Sequence, residues 1–189
     1  LRLLQGCTAT GALIGAGAAV ATKAAEDRGF RGALSDTGLE AEISHLWFQH
    51  DESMFQKLSI TVYEGRVLIT GSVPTDQMRY EAIRLAWQPE EVTEVINEIH
   101  VGKDTNFQQV ASDIIIANKL RGLLLLNGDV KAINYNLEVV SGTVYLIGIA
   151  RTRGELNLVI EEARNISGVR NVISHVRIAT ESSAPVPRS

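Results

Sequence analysis

The chain has 189 residues, 45% of them apolar and 21% charged, with a formal net charge of −4. That balance excludes wholesale disorder, and mild acidity argues against a dedicated nucleic-acid binder, whose footprint is basic. A single cysteine excludes an intramolecular disulfide framework and a thiolate zinc cluster.

The chain opens on Leu1, Arg2, Leu3, Leu4, Gln5, Gly6 and Cys7. Leu4 and Gly6 before the cysteine resemble the processing end of a bacterial lipoprotein signal peptide, although Gln5 is unfavoured in that pattern. Residues 1–6 therefore read as the residue of a signal peptide, and Cys7 as the predicted site of lipid attachment. Each buried CH₂ of an acyl chain contributes ~0.8 kcal/mol, so several chains on one thiol anchor firmly. Residues 7–34 are predicted to be a lipidated Ala/Gly-rich tether. Leu3 to Thr22 is uncharged over 20 residues, enough in length for a membrane span, but Gln5, its threonines and its glycines leave it weakly hydrophobic. Gly15 and Gly17 lack the third glycine and preceding strand of a dinucleotide loop.

From residue 35 the chain reads as a folded unit. Ser35-Asp36 has the short polar side chains of a helix N-cap. Leu39, Ile43, Leu46 and Trp47 follow at helical spacing, with Trp47 read as core. Ile60 to Val62 and Val67 to Ile69 flank Glu64-Gly65 and predict a hairpin, with glycine supplying positive φ at the turn. Gly71 is expected to close the second strand. A second helix is predicted from about Thr75, with Ala82, Ile83 and Ala86 on its core face. Trp87, beside Pro89, falls at either a core or an interface position. The unit ends in a strand that alternates Val95, Ile99 and Val101 on one face. Residues 103–111 are predicted to be a linker.

Residues 112–179 repeat this order. Ser112-Asp113 stands at the start, followed by Ile116, Leu120, Leu123 and Leu124. A hairpin is centred on Ser141-Gly142, Gly148 follows, and a second helix begins near Thr152. The closing strand carries Val172, Val176 and Ile178. A constant offset of 77 residues aligns the two stretches, with 13 identities over the 67 positions of 35–101. Such units exceed the ~20–50 residues of a solenoid repeat, so two tandem small domains are expected, 35–102 and 112–179. The class is α+β: each domain a two-layer α-β-β-α-β sandwich, with two helices on one face of a small mixed sheet. Residues 180–189 read as a disordered tail.

The two domains differ in charge. Residues 35–102 hold four basic and twelve acidic residues, a net of −8, whereas 112–179 hold eight and six, a net of +2. An anionic membrane would repel the first and tolerate or attract the second. Glu90, Glu91, Glu94 and Glu98 form an acidic cluster that reads as a solvated face, with a protein-docking surface or a weak divalent site as sharper alternatives.

The repeated unit, with Gly65 and Gly71 or Gly142 and Gly148 framing its second strand, and Gly168 to Val172 leading into the last, resembles the BON domain. The whole chain resembles the tandem BON-domain outer-membrane lipoproteins. That resemblance implies a non-catalytic protein of a Gram-negative bacterium, anchored in the inner leaflet of the outer membrane and facing the periplasm. It implies binding of anionic phospholipid such as phosphatidylglycerol, chiefly through the second domain. It also implies support of envelope integrity, with recruitment to division sites.

The residues themselves offer a candidate lipid face. Ile114, Ile115, Leu125 and Leu126 fall off the core stripe of the helix near Asp113, with Lys119, Arg121 and Gly122 beside them. The first unit carries Thr37, Gly38, Phe48 and Gln49 at the matching apolar positions, and Glu42 and Ser44 in place of the two cations. An apolar edge with cations suits an anionic bilayer, each basic residue adding ~1 kcal/mol near headgroups. Ile114, Ile115, Lys119, Arg121, Gly122 and Leu126 are thus the predicted phospholipid-binding residues, with Lys131, Arg151 and Arg153 extending the basic surface. The competing expectation is that this face docks the other domain or an envelope protein partner without direct lipid contact. No catalytic motif occurs, the histidines 45, 50, 100 and 175 are scattered, and neither metal nor cofactor is expected.

Overall fold

The structure is a computed structural model that describes the backbone of residues 23–102 and 107–179 and the side chains of 35–102 and 108–179. Cys7, the tether as far as residue 22, residues 103–106 of the linker and the tail from 180 lie outside the described residues. The first unit comprises α1 (Lys23–His50), α2 (Glu52–Lys57), β1 (Leu58–Tyr63), β2 (Arg66–Val73), α3 (Asp76–Ala86) and β3 (Glu94–Val101). The second comprises α4 (Phe107–Leu126), a 3-10 turn (Ala132–Asn134), β4 (Tyr135–Val140), β5 (Thr143–Ala150), α5 (Arg153–Arg164) and β6 (Asn171–Ile178).

Each sheet has its longest-paired strand in the middle. β2 pairs β1 antiparallel and β3 parallel, and β5 pairs β4 and β6 in the same way. Two helices cover one face of each sheet. Leu39, Ile43 and Trp47 of α1 and Ala82, Leu85 and Ala86 of α3 pack on Val62, Val67 and Ile69. Ile116, Leu120 and Leu124 of α4 and Val159 and Ala163 of α5 do the same over Leu137, Val139, Val144 and Leu146. The expected α+β class, with two helices on one face of a small mixed sheet, holds in both units.

The local signals explain much of this. Thr75 and Thr152 cap α3 and α5, their hydroxyls accepting from Met78 N at 3.2 Å and Glu155 N at 3.1 Å. Positive φ at Glu64 (52°) and Gly65 (73°), and at Ser141 (50°) and Gly142 (74°), gives both hairpins the left-handed two-residue turn that matches strand twist.

Five expectations need correcting. Asp36 and Asp113 do not cap helices, because α1 and α4 run through them. Their carboxylates reach across the fold to the hairpin turns. Asp36 accepts from Glu64 N at 2.8 Å and Gly65 N at 3.0 Å, and Asp113 from Ser141 N at 2.7 Å and Gly142 N at 2.8 Å. Residues 107–111 belong to α4 rather than to a linker. Gly71 and Gly148 lie inside β2 and β5, whose last residues are Val73 and Ala150. Val101 is exposed at the strand's end instead of extending its apolar face.

The fifth correction concerns the acidic cluster. The outer faces of the two sheets pack back to back: Leu68 and Ile96 of the first meet Tyr145 and Ile147 of the second. Around this contact, Glu94 holds Arg66 at 2.5 Å and Arg177 of the second unit at 2.8 Å. Glu98 lies 2.8 Å from His175 Nε2, and Arg66 Nη1 donates to the His175 carbonyl at 2.9 Å. Glu94 and Glu98 are thus interdomain partners rather than a solvated face, while Glu90 and Glu91 stay exposed. His100 and His175 are bound too, His100 Nε2 lying 3.1 Å from the Tyr145 hydroxyl.

The Arg66 hydrogen bond holds the Glu94 carboxyl below its ordinary value of 4.5; partial burial opposes this and Arg177 adds to it. A carboxyl depressed in the folded state contributes stability that is present above its unfolded pKa and lost as pH falls through the folded one. Acidification below about pH 4.5 is therefore expected to weaken the interdomain contact. Urea midpoints measured against pH should show this slope in the wild type and a flatter one in Glu94→Gln.

Candidate functional site

Helix α4 turns its inner face to its own sheet and leaves its outer face open. Ile116, Leu120 and Leu124 are buried, whereas Ile114, Ile115, Leu125 and Leu126 are 56%, 67%, 76% and 87% exposed. These four aliphatic side chains are not covered by the first domain.

Helical geometry arranges them. At 3.6 residues per turn, Ile114 and Leu125 stand on one line of the surface and Ile115 and Leu126 on a parallel line. Ala111, Asn118 and Gly122 occupy the strip between. A Cβ added at Gly122 would meet no atom within 4 Å, so the strip opens to solvent there. Arg121 borders the first line and Lys119 the second, and both are exposed. All six residues predicted from the sequence thus share the outer face of one helix.

The two cations differ in freedom. Arg121 Nη2 donates to the Leu137 carbonyl at 3.1 Å, which ties its guanidinium to β4. Burial pushes the nearby Glu138 carboxyl above its ordinary range; Arg121 opposes that shift and Asp113 adds to it. Arg151, expected to extend the basic surface, is also tied down. Its Nε meets Glu155 at 2.8 Å and its Nη2 donates to the Asp129 carbonyl at 2.7 Å.

Glu155 is a residue that sequence reasoning missed. It is 4% exposed, and it accepts from Lys131 N at 2.8 Å and Arg151 N at 2.9 Å as well as from the Arg151 side chain. Burial alone would raise its carboxyl, but these donors outweigh burial and hold it low. The result is a fixed loop after α4, which presents Ile133 at 76% exposure on a turn packed against that helix. An isoleucine in the short Lys131-Ala132-Ile133-Asn134 stretch past Asn127-Gly128-Asp129 was the only signal for it.

The first unit has no equal of this face. At the position matching Leu125 it carries Phe48, whose ring makes an edge contact with Phe55 at 5.9 Å. Among the described residues, no helix is long and apolar enough to cross a membrane, and no group of three or more His, Cys, Asp or Glu residues could hold a metal.

The BON domain family model matches residues 35–103 and 112–180. Over 171 residues the chain is 32% identical to outer membrane lipoprotein DolP of Haemophilus influenzae, covering 90% of this chain and 87% of that one. It is 40% identical over 146 residues to an uncharacterised protein of Anaplasma centrale, 77% of this chain and 95% of that protein. The osmotically-inducible protein Y of Escherichia coli is 23% identical over 141 residues, 74% of this chain and 70% of its own length.

Proposed function

The chain belongs to the BON-domain family, with two copies in tandem, and from that premise we propose a lipid-anchored envelope protein whose second domain binds anionic phospholipid. Cys7 carries the anchor, in the inner leaflet of the outer membrane, and the folded part faces the periplasm. The role is binding rather than catalysis, in support of envelope integrity and at division sites.

The single observation that carries this reading is the outer face of α4, with two lines of exposed aliphatic side chains bordered by Arg121 and Lys119. Aliphatic groups enter the acyl region while cations meet the headgroups. Likeness to an outer membrane lipoprotein supports the location. The back-to-back sheets support the orientation, because they set the helices of the acidic first domain on the layer opposite α4.

The test is co-sedimentation of the full chain with phosphatidylglycerol and phosphatidylcholine vesicles at low salt. Binding to the anionic vesicles alone is expected, weakening as salt rises. Neutralising both cations, Lys119→Gln with Arg121→Gln, removes ~2 kcal/mol and should lower affinity about thirtyfold. Equal binding to both vesicle types, or none, would refute the proposal.

A further inference from the structure

A second exposed apolar feature lies on the opposite outer layer, and lipid binding by α4 does not explain it. Tyr80 and Trp87 of the α3 region are 62% and 50% exposed, while Ala82, Leu85 and Ala86 fill the inner face of the same helix. Seven residues apart, Tyr80 and Trp87 share one line of the helix with Arg84 between them. Trp87 sits at the C-cap, its backbone N–H donating to the Ile83 carbonyl at 3.2 Å, so the ring is held at a fixed end of the stripe.

Comparison within the repeat shows that this stripe is not a requirement of the fold. The matching positions of α5 are Asn157, Glu161 and Arg164, all exposed and polar. In the second unit the first helix is aliphatic outside, and α5 exposes Leu158 among polar residues; in the first, Phe48 and Phe55 meet each other edge to face while Tyr80 and Trp87 stand exposed on the second helix. Trp, Tyr and Arg are the residues that dominate protein–protein hot spots, whereas the outer face of α4 carries aliphatic side chains where this stripe has Tyr80 and Trp87.

Charge indicates the partner's chemistry. Residues 35–102 carry a net of −8, and Asp76, Glu81, Glu90 and Glu91 lie along or just beyond α3. Asp76 and Glu81 are paired with Arg79 and Arg84, and Glu90 and Glu91 are exposed at the end where Trp87 stands. Aromatic faces also attract cations, most strongly the indole. We propose that the Tyr80–Arg84–Trp87 stripe docks a basic polypeptide segment of a partner protein, whose cations stack on Trp87 and Tyr80 and pair with Glu90 and Glu91. The second domain is then left free for its own ligand on the other side.

Trp87 reports on this directly, because the other of the two tryptophans, Trp47, is 1% exposed. The full chain is titrated with a synthetic arginine-rich peptide and with its glutamate-substituted counterpart, following tryptophan emission. The expected result is a saturable change with the basic peptide only, weakened at least tenfold by Tyr80→Ala and unchanged by Leu126→Glu. An unaltered unfolding midpoint shows that the Tyr80 variant is folded. Equal binding by wild type and Tyr80→Ala, or an equal response to the acidic peptide, would overturn the proposal. So would a Tyr80-dependent response to phosphatidylglycerol vesicles alone, which makes the stripe a membrane face, or Tyr80-dependent self-association, which makes the occupant a second copy.

Discussion

Replacing Asp113 by alanine is expected to destabilise the second domain by about 3–5 kcal/mol, because two turn hydrogen bonds to a charged acceptor are lost at about 1.5–3 kcal/mol each. This carboxylate is 6% exposed and accepts three hydrogen bonds, from Ser141 N, Gly142 N and the Gln109 side chain at 3.0 Å. Its removal orphans two turn N–H groups, one of them buried with Gly142, and unfastens α4 from the hairpin. The repeat supplies an internal control. Asp36 makes the equivalent bonds to Glu64 and Gly65 from a half-buried position, so water replaces it more readily. Asp36→Ala should cost only about 1–2 kcal/mol. Urea unfolding of the two variants measures the difference, and equal losses would show that burial of the carboxylate is unimportant.

Leu126→Glu is expected to lower affinity for phosphatidylglycerol vesicles about a hundredfold while leaving stability within about 0.5 kcal/mol of wild type. The residue is 87% exposed, so the folded state loses no packing. In the bilayer a leucine gains ~1.5–3 kcal/mol from burial, and the substituted carboxylate adds repulsion from the anionic surface. Vesicle co-sedimentation beside a thermal melt separates binding from folding. A variant that binds as the wild type does would leave the end of α4 outside the contact.

The repeat, the hairpins and the starts of α3 and α5 were legible because their determinants are local. Thr75 and Thr152 meet N–H groups three residues on, and Glu64-Gly65 and Ser141-Gly142 bend the chain where they stand. What escaped depends on residues far away in the chain. Asp36 and Asp113 look like caps to a reader of near neighbours, yet their partners are hairpin amides 28 and 29 residues on. Glu94 and Glu98 look solvated until the second sheet brings Arg177 and His175 to them. The sheet contact itself did leave a trace: Val67, Leu68 and Ile69 run apolar without alternation, the mark of a strand buried on both faces.

The candidate face was legible for a related reason. Ile114, Ile115, Leu125 and Leu126 fall outside the stripe defined by Ile116, Leu120 and Leu124, and helical spacing alone sets them apart. Ile133 and the Glu155 clamp were not legible, because a buried glutamate with backbone donors has the same letter as a solvated one. The charge split acquires a second cause. Part of the first domain's excess acid is engaged across the sheet contact by Arg177 and His175, while Glu42, Glu52, Glu64, Glu90 and Glu91 stay exposed.

The central claim is that the outer face of α4 lies on an anionic bilayer. Its most direct test is paramagnetic broadening of the full chain's backbone amide signals by nitroxide-labelled lipid in phosphatidylglycerol nanodiscs. The account predicts broadening at Ile114, Ile115, Asn118, Leu125 and Leu126, reaching Ile133, with Tyr80 and Trp87 unaffected. Broadening centred on the first domain, or spread evenly over both outer layers, would contradict it.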